Sequence, residues 1–145
     1  DGQPVLGVVF APALDQMYSG VARSAAWLDD THSRRTLACR RAPAEGLTVI
    51  ASRSHGDTGA LDAFLSRRKV AQRREAGSSL KLCLIAAGEA DVYPRFGRTM
   101  EWDIAAGHAV LGAAGGRVEL TDGSPLRYGK PDFENPHFIA WGLRD

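Results

Sequence analysis

Apolar and polar residues alternate at short range over the first thirty positions of the chain, and helical spacing takes over later. Residues 4–12, PVLGVVFAP, hold a β-rich run from Val5 to Phe10 just after Asp1-Gly2, a hairpin-turn pair. Two further short runs, DQMYSGVA (15–22) and SAAWLDD (24–30), are separated by turn residues, so 1–29 is predicted as a β-meander. Residues 31–46 are polar and Arg-rich, with one weak strand at 35–40.

From residue 47 strands and helices alternate. LTVIASRS (47–54) reads as a strand, and Asp57 as the cap of a helix through Arg68 with Leu61, Phe64 and Leu65 on its apolar face. VAQRRE (70–75) is a short strand. GSSLKLCLIAAGEA (77–90) is a Ser-capped helix with Leu80, Cys83, Leu84 and Ala87 at i, i+3, i+4 and i+7. DVYPRF (91–96) is a strand, RVELTDGSPL (117–126) a hairpin around Asp122-Gly123, and HFIAWG (137–142) a closing strand. This order specifies an α/β layer architecture.

The helix between those last strands carries the first chemical suggestion. In MEWDIAAGHAVLGAAGG (100–116), Asp103 is predicted as the N-cap. Ile104, His108 and Leu111 follow at helical spacing, and Gly115-Gly116 supplies the stop. Ala105, Ala106 and Gly107 are small and would leave the first-turn backbone donors open to an anion. A carboxylate beside an anion site repels the anion unless a cation lies between them. Asp103 therefore suggests a hard metal ion bridging protein and phosphate, against the plainer reading of a cap and nothing more.

Composition adds limits. The chain has 145 residues, 44% hydrophobic content and a net charge of +1, enough for one domain with a sizeable core. No apolar run approaches the length of a membrane span. Cys39 and Cys83 lack metal-ligand spacing and are expected as buried free thiols of a reducing compartment. The basic run RRKVAQRR (67–74) has no aromatic partners nearby, so it reads as a solvated helix end and strand start, with no nucleic-acid partner expected. The chain opens on a turn with no strand before it and no initiator Met, which suggests the back part of a longer protein. Residues 1–46 would then be a meander completing a sheet begun upstream, and 47–145 an α/β subdomain. An unpaired edge at Val5–Phe10 implies self-association or retention of the upstream piece.

Polar candidates fall at successive ends of the α/β elements, where such folds place their sites. They are His55 in SRSH, Ser78 and Lys81 in GSSLK, Arg95 near the end of DVYPRF, and Asp103. Arg and Lys supply charge and donors to phosphate oxygens, Ser a hydroxyl, and His a donor to phosphate or ribose. Each has an ordinary structural role when taken singly; their recurrence at successive element ends points to an anion pocket. His32, His108 and His137 have no partner at metal-binding spacing and are taken as structural, Asp29-Asp30 as a turn pair, and Glu89 as a helix end.

EWDIAAGHAVLGAAGG resembles the second signature of the inositol-monophosphatase superfamily. PVLGVVFAPALDQMY, SRSH, GSSLKLCLIAAGEADVYPRFG and FENPHFIA resemble more narrowly the CysQ-type 3′(2′),5′-bisphosphate nucleotidases, over essentially the whole chain and the C-terminal three-fifths of such a protein. The resemblance implies the C-terminal portion of a layered α/β/α/β/α sandwich. It implies removal of the 3′-phosphate of 3′-phosphoadenosine 5′-phosphate to give AMP, a by-product recycling step of sulfur assimilation. Mg²⁺ is the implied cofactor, with a cytoplasmic location and association of the parent with the inner membrane left open. By the same resemblance Asp103 is a metal ligand, and His55, Ser78, Lys81 and Arg95 contact the nucleotide. Arg98 stands where the family usually has Pro. The family's upstream acidic helix and Asp-Pro-x-Asp-Gly-Thr motif are absent, and Gly88-Glu89-Ala90 is not its Gly-Glu-Glu stretch. One carboxylate cannot hold two Mg²⁺ ions, so this chain alone is expected to carry half a site and to be inactive.

The expected function is thus a Mg²⁺-dependent phosphomonoesterase acting on a nucleoside 3′,5′-bisphosphate, with the helix N-terminus at Ala105 and Ala106 steadying phosphoryl oxygens. The alternatives are an inositol-phosphate phosphatase of the same superfamily and a phosphate-binding fragment without turnover.

Overall fold

The computed structural model describes residues 2–51 and 58–143. The alternation at the start of the chain becomes a four-stranded antiparallel meander: β1 (Leu6–Ala11), β2 (Gln16–Val21), β3 (Ala26–Asp29) and β4 (Arg34–Leu37), in the order β1-β2-β3-β4. Val9, Tyr18, Leu28 and Leu37 point to its inner face and are buried. Gly7 lies opposite Gly20 across the hairpin, and the two leave a notch on that same face. A Cβ on Gly7 would collide with the Ala106 carbonyl oxygen, and one on Gly20 would lie 2.7 Å from the Cα of Val110. Both positions require glycine because a helix backbone occupies the space. The outer face shows the reverse of ordinary alternation: Leu6, Val8, Phe10, Met17 and Val21 are all exposed, Leu6 at 62%.

The remaining elements are β5 (Leu47–Ala51), α1 (Thr58–Leu65), β6 (Val70–Glu75), α2 (Leu80–Ala86), β7 (Val92–Arg95), β8 (Thr99–Met100), α3 (Glu101–Ala113), β9 (Arg117–Leu120), β10 (Glu134–Asn135) and β11 (Phe138–Trp141). A second sheet runs β6-β5-β7-β11-β9, parallel at β6-β5-β7 and antiparallel around β11. Helices α2 and α3 pack on each other between the two sheets, and Val9, Tyr18, Leu82, Leu111 and Phe138 share one core. Leu61, Phe64 and Leu65 of α1 cover the other side of the second sheet with Val49 and Trp141. Among the described residues no helix is long and apolar enough to cross a membrane.

An ionic tie joins the connection after β4 to the second sheet. Arg40 donates through Nε and Nη2 to both oxygens of Asp91 at 2.9 Å and through Nη2 to Thr48 Oγ1, and the Thr48 N–H donates to Asp91 Oδ2 at 2.7 Å. A buried carboxylate needs such a full set of donors.

Several sequence expectations shift. The helix expected over 77–90 is helical only over Leu80–Ala86, and it is buried on nearly all sides, Lys81 included, because sheets and α3 enclose it. Ser79 holds its N-cap position without a side-chain cap bond, and Ser78 sits one residue earlier in left-handed backbone at φ +50°. Helix α3 begins at Glu101, so Asp103 is its third residue and not the cap. The hairpin expected over 117–126 forms around Asp122-Gly123, the Leu120 N–H donating to the Ser124 carbonyl and the Leu126 N–H to the Val118 carbonyl. Its second arm is only a bridge, Glu119 to Pro125, and the longer ladder of β9 is with β11 on its other edge. The ladder β8–β10 was not foreseen; two-residue strands leave no periodicity to read. Residues 52–57, and so the strand end and the Asp57 cap, lie outside the described residues.

Smaller expectations hold. Cys39 and Cys83 are free and buried, and burial pushes their thiols up to about 11 and about 12. Within the basic run, Arg68 stacks on the Phe64 ring, Lys69 donates to the Ala44 carbonyl, Arg73 pairs with Asp62 and Arg74 with Glu89. His137 packs edge-on against Phe96, and His108 Nδ1 lies 2.9 Å from the Tyr128 hydroxyl.

Candidate functional site

Four sequence-predicted residues from three separate elements converge on one cleft. Ser78, Lys81, Arg95 and Asp103 line it with Tyr93, Arg98, Thr99 and Ile104, around a volume of about 330 Å³. Tyr93 and Arg95 are two apart on β7, so the strand's period of two puts both side chains on the same face. Lys81 is in the first turn of α2 and Asp103 in the first turn of α3, and the packing of those helices brings the two together.

Lys81 and Arg95 are cations held almost out of water, 6% and 9% exposed. Among the described residues the Lys81 ammonium has the Ala76 carbonyl at 3.3 Å and the Tyr93 ring at 5.2 Å, and no carboxylate. Burial, with the Arg95 charge adding to it, lowers the Lys81 pKa from 10.5 to about 8. Arg95 donates through Nη2 to the Arg98 carbonyl at 2.8 Å. A cleft that holds two buried cations so close has room for an anion, electrostatically as well as sterically.

Asp103 is exposed, and its Oδ2 accepts the Met100 N–H at 2.8 Å. The carboxylate thus folds back as the third residue of a capping arrangement, which orients it at the mouth of the cleft. Among the described residues its other oxygen has no protein hydrogen bond.

Ala105 and Ala106 are not part of this cleft. With α3 starting at Glu101, their N–H groups fall in the second turn, where helical geometry commits them to carbonyls of the first. Both line a different depression beside Gly2, Leu6 and Gly7, where α3 rests on the meander. The first-turn N–H of Glu101 is itself taken by the Phe133 carbonyl at 2.8 Å. The open-donor site expected at these alanines is therefore corrected: the small side chains serve close packing. His55 lies outside the described residues.

Comparison with known proteins now decides the lineage. The model of the inositol monophosphatase family matches residues 1–141. The chain belongs to the inositol monophosphatase family. The 3′(2′),5′-bisphosphate nucleotidase CysQ of Escherichia coli (strain K12) is 45% identical over 138 residues, covering 94% of this chain and 54% of that protein. The CysQ of Buchnera aphidicola is 41% identical over 145 residues, again covering 54% of its length. Among solved structures, CysQ from Bacteroides thetaiotaomicron superposes with a TM-score of 0.86 at 34% identity, covering 99% of this chain and 60% of that one. The chain thus spans about half the length of the curated relatives it matches.

For an inositol monophosphatase relative the question of metal is immediate. Among the described residues no group of three or more His, Cys, Asp or Glu side chains comes together as a metal cluster. A hard divalent ion wants about six oxygen ligands, and the cleft offers the single carboxylate of Asp103. The described residues do not make a Mg²⁺ site by themselves.

Sequence reasoning missed two polar residues of the cleft lining, Tyr93 and Thr99, and the Glu101 brace beside it. Tyr93, under the Lys81 ammonium, was recoverable from its period-two relation to Arg95. Thr99, whose hydroxyl accepts from Asn135 Nδ2 at 3.3 Å, depends on the unforeseen β8–β10 ladder. Glu101 accepts from the Gly129 and Lys130 N–H groups at 3.0 Å and from the Lys130 ammonium, which holds its pKa down at about 2 and pins the 129–130 segment to the start of α3.

Proposed function

We propose that this chain supplies the phosphate- and nucleotide-binding part of a metal-dependent phosphomonoesterase that removes the 3′-phosphate of a nucleoside 3′,5′-bisphosphate, 3′-phosphoadenosine 5′-phosphate giving AMP. The observation that carries the reading is the meeting of Ser78, Lys81, Arg95 and Asp103 at one cleft. Lys81 and Arg95 neutralise phosphate oxygens, Ser78 adds a hydroxyl, and His55 completes the nucleotide contacts. Asp103 contributes one carboxylate of a Mg²⁺ site whose remaining ligands lie in the part of the longer relatives that this chain does not span. Turnover therefore requires that segment, covalently or as a separate chain, and the protein works in the cytoplasm. In the same reading residues 1–46 are the continuation of a sheet begun in that segment and 47–145 the subdomain that carries the cleft.

A second reading, a nucleotide-binding fragment without turnover, is favoured by the lack of a metal cluster among the described residues. The test is calorimetric binding of adenosine 3′,5′-bisphosphate together with phosphate release from it, with and without Mg²⁺ and alongside inositol 1-phosphate. The same assays are run on the chain alone and on a fusion carrying the E. coli relative's upstream segment. We expect binding by both and Mg²⁺-dependent release by the fusion alone, lost on Asp103→Asn. Preference for inositol 1-phosphate overturns the substrate assignment; binding without release by the fusion supports the fragment reading.

A further inference from the structure

Arg98 is the exposed cation of the cleft. Its side chain, unlike those of the buried Lys81 and Arg95, is 71% exposed, and it forms a salt bridge through Nε to Glu134 Oε2 at 3.2 Å, with the Glu134 side chain 48% exposed. Its backbone, by contrast, is held. The Arg98 carbonyl accepts from Arg95 Nη2, and the next residue, Thr99, is paired with Asn135 in the β8–β10 ladder. The side chain is therefore a charged arm on a fixed base, resting on a surface partner that contributes little and is readily exchanged.

The charges around the cleft do not balance. Among the described residues that line it, three are cations, Lys81, Arg95 and Arg98, and one is a carboxylate, Asp103, and Glu134 offsets Arg98 only while the arm lies against it. One phosphate would lie over the buried Lys81 and Arg95. A second phosphate, left at the mouth, would meet the one cation that can move and whose planar fork suits phosphate oxygens.

We propose that Arg98 is the residue that selects a second phosphate on the substrate, exchanging Glu134 for that phosphate when a bisphosphate enters. This rests on the phosphatase reading above and assigns its discrimination between bisphosphate and monophosphate to a named contact. Glu134 becomes the resting partner that keeps the arm beside the mouth.

The test is calorimetric titration of the wild-type chain and of R98A, R98K and E134Q with adenosine 3′,5′-bisphosphate and with AMP. Arg98 is exposed, so these variants fold. R98A is expected to weaken bisphosphate binding about 10-fold and AMP binding less than about 2-fold, the scale of one lost guanidinium–phosphate contact. R98K should retain part of the preference, since charge survives while the fork does not. E134Q should tighten bisphosphate binding by roughly 2-fold to 3-fold by releasing the arm. Equal weakening of both ligands by R98A, or a wild-type preference that R98A leaves intact, overturns the assignment and spares the phosphatase reading. A wild-type chain that binds neither nucleotide, or shows no preference for the bisphosphate, overturns both.

Discussion

Replacing Lys81 by Met should make the protein more stable and less able to bind phosphate. The ammonium is buried beside Arg95 without a carboxylate among the described residues, and its pKa falls from 10.5 to about 8. At about 1.4 kcal/mol for each tenfold change, carrying that charge costs on the order of 3 kcal/mol at neutral pH. Against this, Met forfeits a long hydrogen bond to the Ala76 carbonyl, worth about 1 kcal/mol, and a contact with the Tyr93 ring worth about 0.5–1 kcal/mol. The desolvation cost is the larger, so Lys81→Met should gain roughly 1–2 kcal/mol, or about 0.5–1 M in the urea midpoint. The pH dependence follows from the sign of the shift. Below pH 8 both folded and unfolded states hold the proton, and the cost is fully present. Between about 8 and 10.5 the unfolded chain binds more protons than the folded one, so the wild type gains on the variant as pH rises and overtakes it before 10.5, above which the difference no longer changes. Urea unfolding of the two proteins at pH 6.5, 8 and 10, paired with calorimetric titration of adenosine 3′,5′-bisphosphate, checks both halves. A variant less stable than the wild type at pH 7, or one that binds the nucleotide as tightly, would refute the reasoning.

Asp91→Ala, which leaves the Arg40 guanidinium and the Thr48 N–H without their carboxylate, should cost about 2–4 kcal/mol in chemical unfolding; a loss under 1 kcal/mol would mean the tie is ornamental. Gly7→Ala places a methyl group against the Ala106 carbonyl and should lose ~3 kcal/mol or more, whereas Gly123→Ala, with open space around it but φ +87°, should lose less, about 1 kcal/mol. The apolar outer face of β1 and β2 should drive concentration-dependent self-association, seen as a rising mass in sedimentation and abolished by Val8→Lys with Phe10→Lys; a monomer at all concentrations would contradict it.

What the sequence revealed depended on the range of the forces involved. Strands of the meander and the parallel pair were legible because each rests on a local period. The meeting of Ser78, Lys81, Arg95 and Asp103 at one cleft was legible because element ends are local too, and the fold brings those ends together. Three features depended on partners distant in sequence and escaped. Helix α2 has one apolar stripe by spacing, yet two sheets and α3 enclose it, so Lys81 went under with its neighbours. Asp103 looked like a cap because its carboxylate does engage the helix start, but from the third position back to Met100. The alanines after it resemble an open anion site, and Ala106 is instead the surface on which Gly7 closes, as Val110 is for Gly20.

The glycine notch has a consequence in time. A helix whose backbone lies directly on a sheet, with no side chains between, has little room to rock, so α3 should open only when the whole core opens. Amide hydrogens at its fully buried residues, Val110 and Leu111, should then exchange with solvent at the rate of global unfolding. The guanidinium of Arg98 a few residues upstream reorients in nanoseconds or less. Asp103 rides on the slow body and Arg98 swings as the fast arm, so a ligand entering the cleft would meet a carboxylate fixed throughout its stay and a cation that samples its whole range before the ligand settles.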